Sequence, residues 1–244
     1  KLSMFSEGII CVSKSLMDSM KKLGFKNSFY IIPNVVFEGY ENVDIKNVDI
    51  KMVEKNKNVI KAIVLANLLD KTKNISGLLK GFKMFLEKYG NEFKDNVVID
   101  IYGDGKDREK LINLAIDLGL YNKDVFFKGT ISNKEIKGFM SDYDFFVMFS
   151  RVETFSVATL EAMLCGLPVI ATKSGGPEEY IIPEYGLLID IDNIDQLSDA
   201  FYFMCKSYFK FDKQRISNFV RENYSYESVS NKFKELYQRY IINT

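Results

Sequence analysis

The sequence predicts an α/β protein built on a doubly wound parallel sheet. Short apolar runs alternate with amphipathic helical patterns over most of the 244 residues. The runs are apolar throughout, which is typical of strands that are covered by helices on both faces. Strands and helices in alternation indicate βαβ units, whose strands pair in parallel.

The strands of the predicted sheet are the most apolar segments of the chain. They lack the polar and apolar alternation of a strand that has one face in water. We expect strands at Ile9–Val12, Phe29–Ile32, Ile60–Ala66, Val97–Tyr102, Val125–Phe127, Phe145–Phe149, Val169–Ala171 and Leu187–Ile189.

The helices have recognisable ends. Ser13 is a typical N-cap for a helix that stops at Gly24, and Gly119 occupies a C′ position after another helix. Ser132 and Glu135 form a capping box for a short helix through Met140. We expect further helices at Ile75–Tyr89, Arg108–Leu118, Val157–Cys165, Asp195–Tyr208, Asp212–Asn223 and Tyr226–Ile242, the last capped by Ser225.

A polar segment divides the chain. Residues 35–58 are rich in Asn, Lys, Asp and Glu and have little periodicity, which is typical of a linker. We therefore expect residues 1–34 to end a preceding domain, residues 35–56 to be a linker, and the main domain to follow. The first residue is Lys1 rather than Met, so we expect the chain to be a piece of a longer protein.

The composition excludes several classes of function. Basic and acidic residues both number 33, so the net charge is zero and no general nucleic-acid binding is expected. The absence of histidine excludes zinc sites and catalytic triads that need it. Cys11, Cys165 and Cys205 are far apart in sequence, so we expect buried free thiols in the reducing cytoplasm.

A glycine-rich turn follows the strand Val97–Tyr102. Gly103 and Gly105 begin a dinucleotide-binding pattern, but the third glycine of that pattern is replaced by Arg108. Binding of NAD through this motif is therefore not expected. Two interpretations remain open, a tight strand-to-helix turn and a turn that approaches some other nucleotide.

Two carboxylates follow the strand Phe145–Phe149. Glu161 lies in the apolar helix Val157–Cys165, where a carboxylate is costly unless it is hydrogen-bonded or paired. A diol such as ribose would satisfy it with two donors. Glu153 lies eight positions earlier, roughly 10 Å away, which suits the opposite ends of one extended ligand. The alternative is that Glu153 forms an ion pair in a loop and Glu161 faces solvent.

The segment 150–171 resembles the signature of a large family of retaining glycosyltransferases, the glycosyl transferases group 1. Bacterial polysaccharide and lipopolysaccharide transferases typify that family. Its hallmark is two glutamates separated by seven residues, then a Gly-x-Pro-Val-Ile strand and a Gly-Gly loop. The matching residues are Glu153, Glu161, Gly166, Pro168, Val169, Ile170, Gly175 and Gly176. Weaker similarity extends over most of the chain.

The resemblance implies a GT-B enzyme, which has two Rossmann-like domains and holds a nucleotide sugar in the C-terminal one. Residues 57–224 would be the donor-binding domain, and residues 225–244 a terminal helix that crosses back to the N-terminal domain. Residues 1–34 would be a remnant of that N-terminal, acceptor domain. The implied reaction transfers a sugar from a UDP- or GDP-sugar to a glycan or lipid-linked acceptor, with peripheral contact at the inner membrane face left open. This piece alone is expected to be inactive.

The resemblance also implies roles for individual residues. Glu161 would bind the ribose, Glu153 would contact the transferred sugar, and Lys73 would neutralise the diphosphate. Asn67 stands where the family usually has an arginine. No cofactor and no divalent metal is implied, because cations and helix ends stabilise the leaving diphosphate. The remaining residues expected at the nucleotide are Gly103, Gly105, Gly129, Thr130, Ile131 and the backbone amides of Thr154, Phe155 and Ser156.

Two other functions remain as alternatives. A GT-A transferase would use an Asp-x-Asp metal motif after a strand, and Asp190-Ile191-Asp192 has that position. Aspartates are also ordinary turn residues at strand ends. The second alternative is a catalytically incomplete module that binds a nucleotide sugar within a larger complex, which the substitution at Asn67 would favour.

Overall fold

The computed structural model describes residues 6–36, 59–93, 96–132 and 139–241. Most of the predicted linker, and the core of the helix expected from Ser132 to Met140, lie outside these residues. The strands are β1 (Gly8–Cys11), β2 (Ser28–Ile31), β3 (Ile60–Leu65), β4 (Val97–Tyr102), β5 (Val125–Gly129), β6 (Phe145–Met148), β7 (Val169–Thr172) and β8 (Gly186–Ile189). Each predicted strand is confirmed to within two residues at either end.

Six of these strands form one sheet in the order β5-β4-β3-β6-β7-β8. All five pairings in this sheet are parallel, which confirms the predicted fold class. The strand order runs outward from β3 in one direction and from β6 in the other. β1 and β2 form a separate parallel pair.

The continuous apolar runs are explained by two cores, one on each face of the sheet. Along β3, Ala62 and Val64 enter one cluster of buried side chains, whereas Ile63 belongs to the other. Phe145 and Phe146 in β6 divide in the same way. Because successive side chains of a strand point to opposite faces, a sheet with two covered faces needs apolar residues at every position.

The helices cover both faces. The helices of the described residues are α1 (Lys14–Lys22), α2 (Asp70–Lys73), α3 (Ile75–Tyr89), α4 (Arg108–Asp117), α5 (Val157–Leu164), α6 (Ile194–Ser207), α7 (Lys213–Tyr224) and α8 (Tyr226–Ile241). On one face, α3 packs on α6 through Phe82, Phe85 and Phe201, whose ring centroids lie 5.1–5.8 Å apart. On the other face, Leu160 of α5 and Ile216 of α7 share the second core. α2 was not predicted.

The predicted helix ends are confirmed where the structure describes them. The Ser13 hydroxyl accepts a hydrogen bond from the Leu16 amide, as an N-cap does. Gly24 and Gly119 follow their helices with φ angles of 91° and 70°, a backbone region that favours glycine. Ser225 accepts from the amide of Ser228 at the start of α8.

A small unit precedes the main sheet. It has the order β1-α1-β2, and Ile32 after β2 is buried with Val229 and Leu236 of α8. The terminal helix therefore packs against the residue that follows β2. Val36 is also buried, and its amide donates to the Tyr224 carbonyl, so the second residue of the predicted linker 35–56 is packed against the main domain.

A carboxylate joins the small unit to the main domain. Both oxygens of Glu179, which lies after β7, accept hydrogen bonds from the first amides of α1, Lys14 N at 3.0 Å and Ser15 N at 2.8 Å. These amides have no partner within their own helix. The negative charge also opposes the positive end of the α1 dipole.

We expect the substitution Glu179→Ala to destabilise the first turn of α1 by about 1 kcal/mol, as for other lost helix caps. The measurement is hydrogen exchange at the Lys14 and Ser15 amides, which should exchange faster in the variant. Glu184→Ala is the control, since Glu184 meets Arg215 only at 3.8 Å. Unchanged exchange at both amides would contradict this role of Glu179.

Candidate functional site

A pocket lies where the strand order of the sheet reverses, between β3 and β6. The loops that follow these two strands leave on opposite faces and open a crevice there, the usual ligand position in such sheets. The pocket has a volume of about 180 Å³. Five predicted site residues line it, namely Lys73, Glu153, Thr154, Phe155 and Ser156.

An ion pair lies in this pocket. The Lys73 ammonium is 2.5 Å from Oε1 of Glu153, and the Ser150 hydroxyl donates to the same oxygen at 2.8 Å. Only 10% of the Glu153 side chain is exposed. The ion-pair interpretation of Glu153 is therefore confirmed, and its partner is the lysine that the resemblance also assigned to the site. Oε2 of Glu153 has no hydrogen-bond partner among the described residues.

The loop that carries Glu153 is fixed by the Gly-Gly loop after β7. The Glu153 amide donates to the Ser174 carbonyl, and the Gly176 amide donates to the Glu153 carbonyl, both at 2.9 Å. A Cβ atom on Gly176 would lie 2.6 Å from the Thr154 carbonyl oxygen and from Cα of Phe155. Only glycine allows the two loops to approach this closely.

Tyr180 supports the same loop from the core. Its hydroxyl is 2.9 Å from the Phe155 carbonyl oxygen, to which it donates. Its ring meets those of Phe155 and Tyr224 edge-on or tilted. Burial raises the pKa of Tyr180 well above its ordinary value, so the phenol stays protonated and remains a donor.

Three backbone amides face no protein acceptor at the start of α5. Within the described residues, the amides of Thr154, Phe155 and Ser156 make no hydrogen bond. They lie at the positive end of the helix dipole, where an anion is favoured. Ser156 has a φ of 64°, which is unusual for a residue with a side chain, and its hydroxyl is 2.8 Å from that of Thr159.

Glu161 lies on the buried side of α5. It is 9% exposed, so the interpretation that it faces solvent is wrong. Its carboxylate makes no hydrogen bond within the described residues, and burial raises its pKa. A carboxylate that is buried without a partner is the arrangement expected of a residue whose hydrogen-bond donors come from a ligand.

The other predicted residues lie outside the pocket, at the ends of the neighbouring strands. A Cβ on Gly103 would lie 1.8 Å from the Ala66 carbonyl oxygen, and one on Gly105 would lie 2.6 Å from Oδ1 of Asn67. These glycines therefore let the turns after β3 and β4 meet, which supports the turn interpretation. The Gly103 amide donates to the Gly129 carbonyl. Asn67 and Thr130 are exposed, and Ile131 packs on the second core.

The two aspartates after β8 are engaged by protein groups. Asp190 pairs with Lys173 and accepts from Gln196, and Asp192 pairs with Arg151. Among the described residues, no group of three or more Cys, Asp or Glu residues could hold a metal ion. Both aspartates are therefore occupied without a metal in this conformation.

Sequence reasoning missed three residues of the site. Ser150 and Tyr180 act on the loop through the contacts given above, and Asn34 lines the pocket from the small unit. Asn34 follows Ile32-Pro33 next to a predicted strand, which was a usable signal. Tyr180 carried no such signal, because its partner lies 25 positions away.

Comparison with known proteins places these features in a family. Residues 46–221 match the model of the glycosyl transferases group 1. An uncharacterized glycosyltransferase of Methanocaldococcus jannaschii is 24% identical over 85% of this chain and 53% of its own length. An N-acetylgalactosamine-N,N'-diacetylbacillosaminyl-diphospho-undecaprenol 4-alpha-N-acetylgalactosaminyltransferase of Campylobacter jejuni is 30% identical over 68% of this chain and 43% of its own length. The chain thus spans about half the length of these relatives.

A solved structure shows the same fold. The Anabaena protein HepE, in complex with UDP, superimposes with a TM-score of 0.79 at 18% sequence identity. The match covers 97% of this chain and 65% of that protein. The six-stranded parallel sheet therefore belongs to the Rossmann-like half of a GT-B fold.

The strained backbone of Ser156 leads to a stability prediction. Ser156→Gly and Ser156→Ala both remove the hydroxyl, but only glycine adopts the positive φ without strain. We expect the glycine variant to have the larger free energy of unfolding, by about 1 kcal/mol, in urea denaturation. The same pair at Lys110, in the exposed face of α4, should show the reverse order. An alanine variant as stable as the glycine variant would contradict the strain.

The buried carboxylate of Glu161 leads to a prediction about pH. Burial raises the pKa of Glu161 in the folded state, so ionisation of this carboxyl destabilises the folded protein. The destabilisation is complete above the folded-state pKa and absent below the unfolded-state pKa of about 4.3. Glu161→Gln should therefore raise the free energy of unfolding by about 1 kcal/mol at pH 7, and this gain should vanish near pH 4. Urea denaturation across this pH range measures it. Glu235→Gln, at an exposed site in α8, should show no such gain.

Proposed function

Because the chain belongs to the glycosyl transferases group 1 family, we propose that it is the donor-binding part of a retaining glycosyltransferase. The enzyme would transfer a sugar from a nucleoside-diphosphate sugar to a glycan or lipid-linked acceptor. One observation carries the proposal. Within the described part of the chain, Glu161 is buried without a partner on the same helix whose N-terminal end, with its free amides, opens into the pocket.

The chemistry of the pocket fits the parts of such a donor. Glu161 is an acceptor for two ribose hydroxyls, which would replace its missing partners. The amides of Thr154–Ser156 and the Lys73 ammonium favour the diphosphate, whose charge increases as it leaves. Glu153 is held between Lys73 and Ser150 with Oε2 available to the transferred sugar. The presence of UDP in the structure of the Anabaena protein supports a uridine donor.

Donor binding would need no divalent metal. The cationic groups that offset the diphosphate are Lys73 and the N-terminal end of α5, and the two aspartates after β8 have protein partners. Unchanged turnover after treatment with EDTA would support this part of the proposal. Retention of the anomeric configuration follows from the family resemblance, and NMR spectroscopy of the product would test it.

The acceptor would bind mainly to a part of the enzyme beyond residues 57–224. The small unit, which carries Asn34 into the pocket, would belong to that acceptor half. The undecaprenol-linked substrate in the name of the Campylobacter relative favours a lipid-linked acceptor at a membrane surface. Within the described residues, no helix is long and apolar enough to cross a membrane.

A catalytically incomplete binding module is the second candidate. Asn67 stands where the family usually has an arginine and is exposed outside the pocket, so one contact with the phosphate would be missing. Nucleotide binding without any sugar transfer by the whole enzyme would favour this second function.

Substitution of the two glutamates should separate their roles. Glu161→Ala removes a charged acceptor from two ribose donors, each worth about 1.5–3 kcal/mol, so the affinity for UDP or GDP should fall at least about tenfold. Glu153→Ala should keep or increase that affinity, because it removes the partner of Lys73 without removing a nucleotide contact. Its turnover should fall about 10²-fold or more.

Calorimetric titration measures the affinities, and sugar transfer by the whole enzyme measures turnover. Glu109→Ala, which removes one charge from the exposed side of α4, is the matched control. Equal losses of nucleotide affinity in both variants would show that the ligand is placed wrongly. Unchanged affinity and turnover in both would leave the two glutamates with structural roles only.

A further inference from the structure

The lysine of the pocket is carried by an unusually small element. Lys73 is the last residue of α2, a helix of only four residues. A helix this short has little stability of its own, because the entropy cost of nucleation exceeds the free energy gained from the hydrogen bonds of one turn. The position of the Lys73 ammonium therefore depends on whatever holds α2 in place.

Arg151 holds the C-terminal end of α2. Its amide donates to the Thr72 carbonyl at 2.7 Å, and Nη1 of its guanidinium donates to the carbonyls of Asp70 at 3.0 Å and Lys71 at 3.4 Å. These carbonyls form the negative end of the helix, where a cation is favoured. Arg151 lies two residues before Glu153, so one segment carries Glu153 and fixes the helix that carries its partner.

Asp192 holds Arg151 and the residue after Lys73 together. Its carboxylate accepts from Nε of Arg151 at 2.8 and 3.1 Å and from Nδ2 of Asn74 at 2.9 Å. Asn74 has a φ of 52° and is 1% exposed, and its Oδ1 has no hydrogen-bond partner among the residues that the structure describes. A Cβ on Gly77 would lie 2.6 Å from that Oδ1. The Asn74 side chain is thus kept in a costly position.

We propose that Arg151 and Asp192 are positioning residues for the reaction, which place the Lys73 ammonium against the diphosphate of the donor. This proposal rests on the proposed function. The Arg151 guanidinium donates to two carbonyls of α2 through Nη1 and to the Asp192 carboxylate through Nε, an arrangement that suits a planar group with several donors. The Arg151 and Asp192 side chains are 35% and 53% exposed, so solvent weakens their attraction and stability alone does not explain them.

The competing explanation is that Arg151 contacts the phosphate directly. The two explanations predict opposite effects of Asp192→Asn on nucleotide affinity. If Arg151 bound the diphosphate itself, Asp192→Asn would remove a competing negative charge and strengthen binding. If Arg151 and Asp192 position Lys73, the same substitution should weaken binding.

The experiment is calorimetric titration of the 244-residue chain with UDP and GDP, and then with the monophosphate of the tighter ligand. The diphosphate-to-monophosphate affinity ratio isolates the terminal phosphate from base and ribose. The variants are Arg151→Ala, Asp192→Asn, Lys73→Ala and the double variant of Lys73 and Arg151. Lys173→Ala and Asp190→Asn are matched controls, because this ion pair is close to Asp192 in sequence and, within the described residues, makes no hydrogen bond with α2.

We expect the affinity ratio to fall about fivefold to tenfold in Arg151→Ala and in Asp192→Asn, and at least about tenfold in Lys73→Ala. The double variant should lose no more than about twofold beyond Lys73→Ala, because Arg151 acts through Lys73. The two controls should keep the wild-type ratio, and thermal unfolding should be alike in controls and variants.

Additive losses in the double variant, or tighter binding by Asp192→Asn, would overturn the positioning role. A wild-type ratio in Arg151→Ala would overturn it as well. If the wild-type chain bound neither nucleoside diphosphate, the proposed function itself would fail. The wild-type titration tests the proposed function, and only the variants test the positioning role.

Discussion

The close approach of two loops is the constraint on which the site depends. The loop after β6 carries Glu153 and the free amides, and the loop after β7 carries Gly175 and Gly176. The two loops exchange backbone hydrogen bonds, and a side chain at Gly176 would collide with Thr154 and Phe155. Neighbouring parallel strands bring their carboxyl ends together at one sheet edge. Gly176 then allows the loop after β7 to pack directly against the loop after β6.

Much of the fold could be predicted because its causes are local. A strand with both faces buried must be apolar throughout, so Val97–Tyr102 is visible in the sequence without knowledge of its neighbours. Caps such as Ser13 also act within one turn. α2 could not be predicted, because its four residues are held by Arg151, some eighty positions later.

Site residues could likewise be predicted where the cause is local, and could not where it is a contact between distant parts of the chain. Glu161 was identified because a carboxylate is unusual inside an apolar helix, and it is buried without a partner among the described residues. The glycines at 103 and 105 were ambiguous, since a tight turn and a nucleotide contact require the same freedom of the backbone. Their close neighbours, Ala66 and Asn67, are distant in sequence, and this close approach supports the turn interpretation. The ion pair of Lys73 with Glu153 is likewise a long-range contact.

Several groups at the pocket and along α5 lower the stability of the protein. Glu161 is a desolvated carboxylate, the amides of residues 154–156 lack acceptors within the described residues, and Ser156 has a left-handed backbone. Each feature destabilises the protein, but hydroxyl donors of a ligand would satisfy the Glu161 carboxylate, and an anionic group would satisfy the amides. Groups that are already oriented toward a ligand lose little conformational entropy when it binds. Such an arrangement increases ligand affinity and lowers the free energy of unfolding. The buried apolar side chains of the two cores and the capped helices offset the destabilisation at this site.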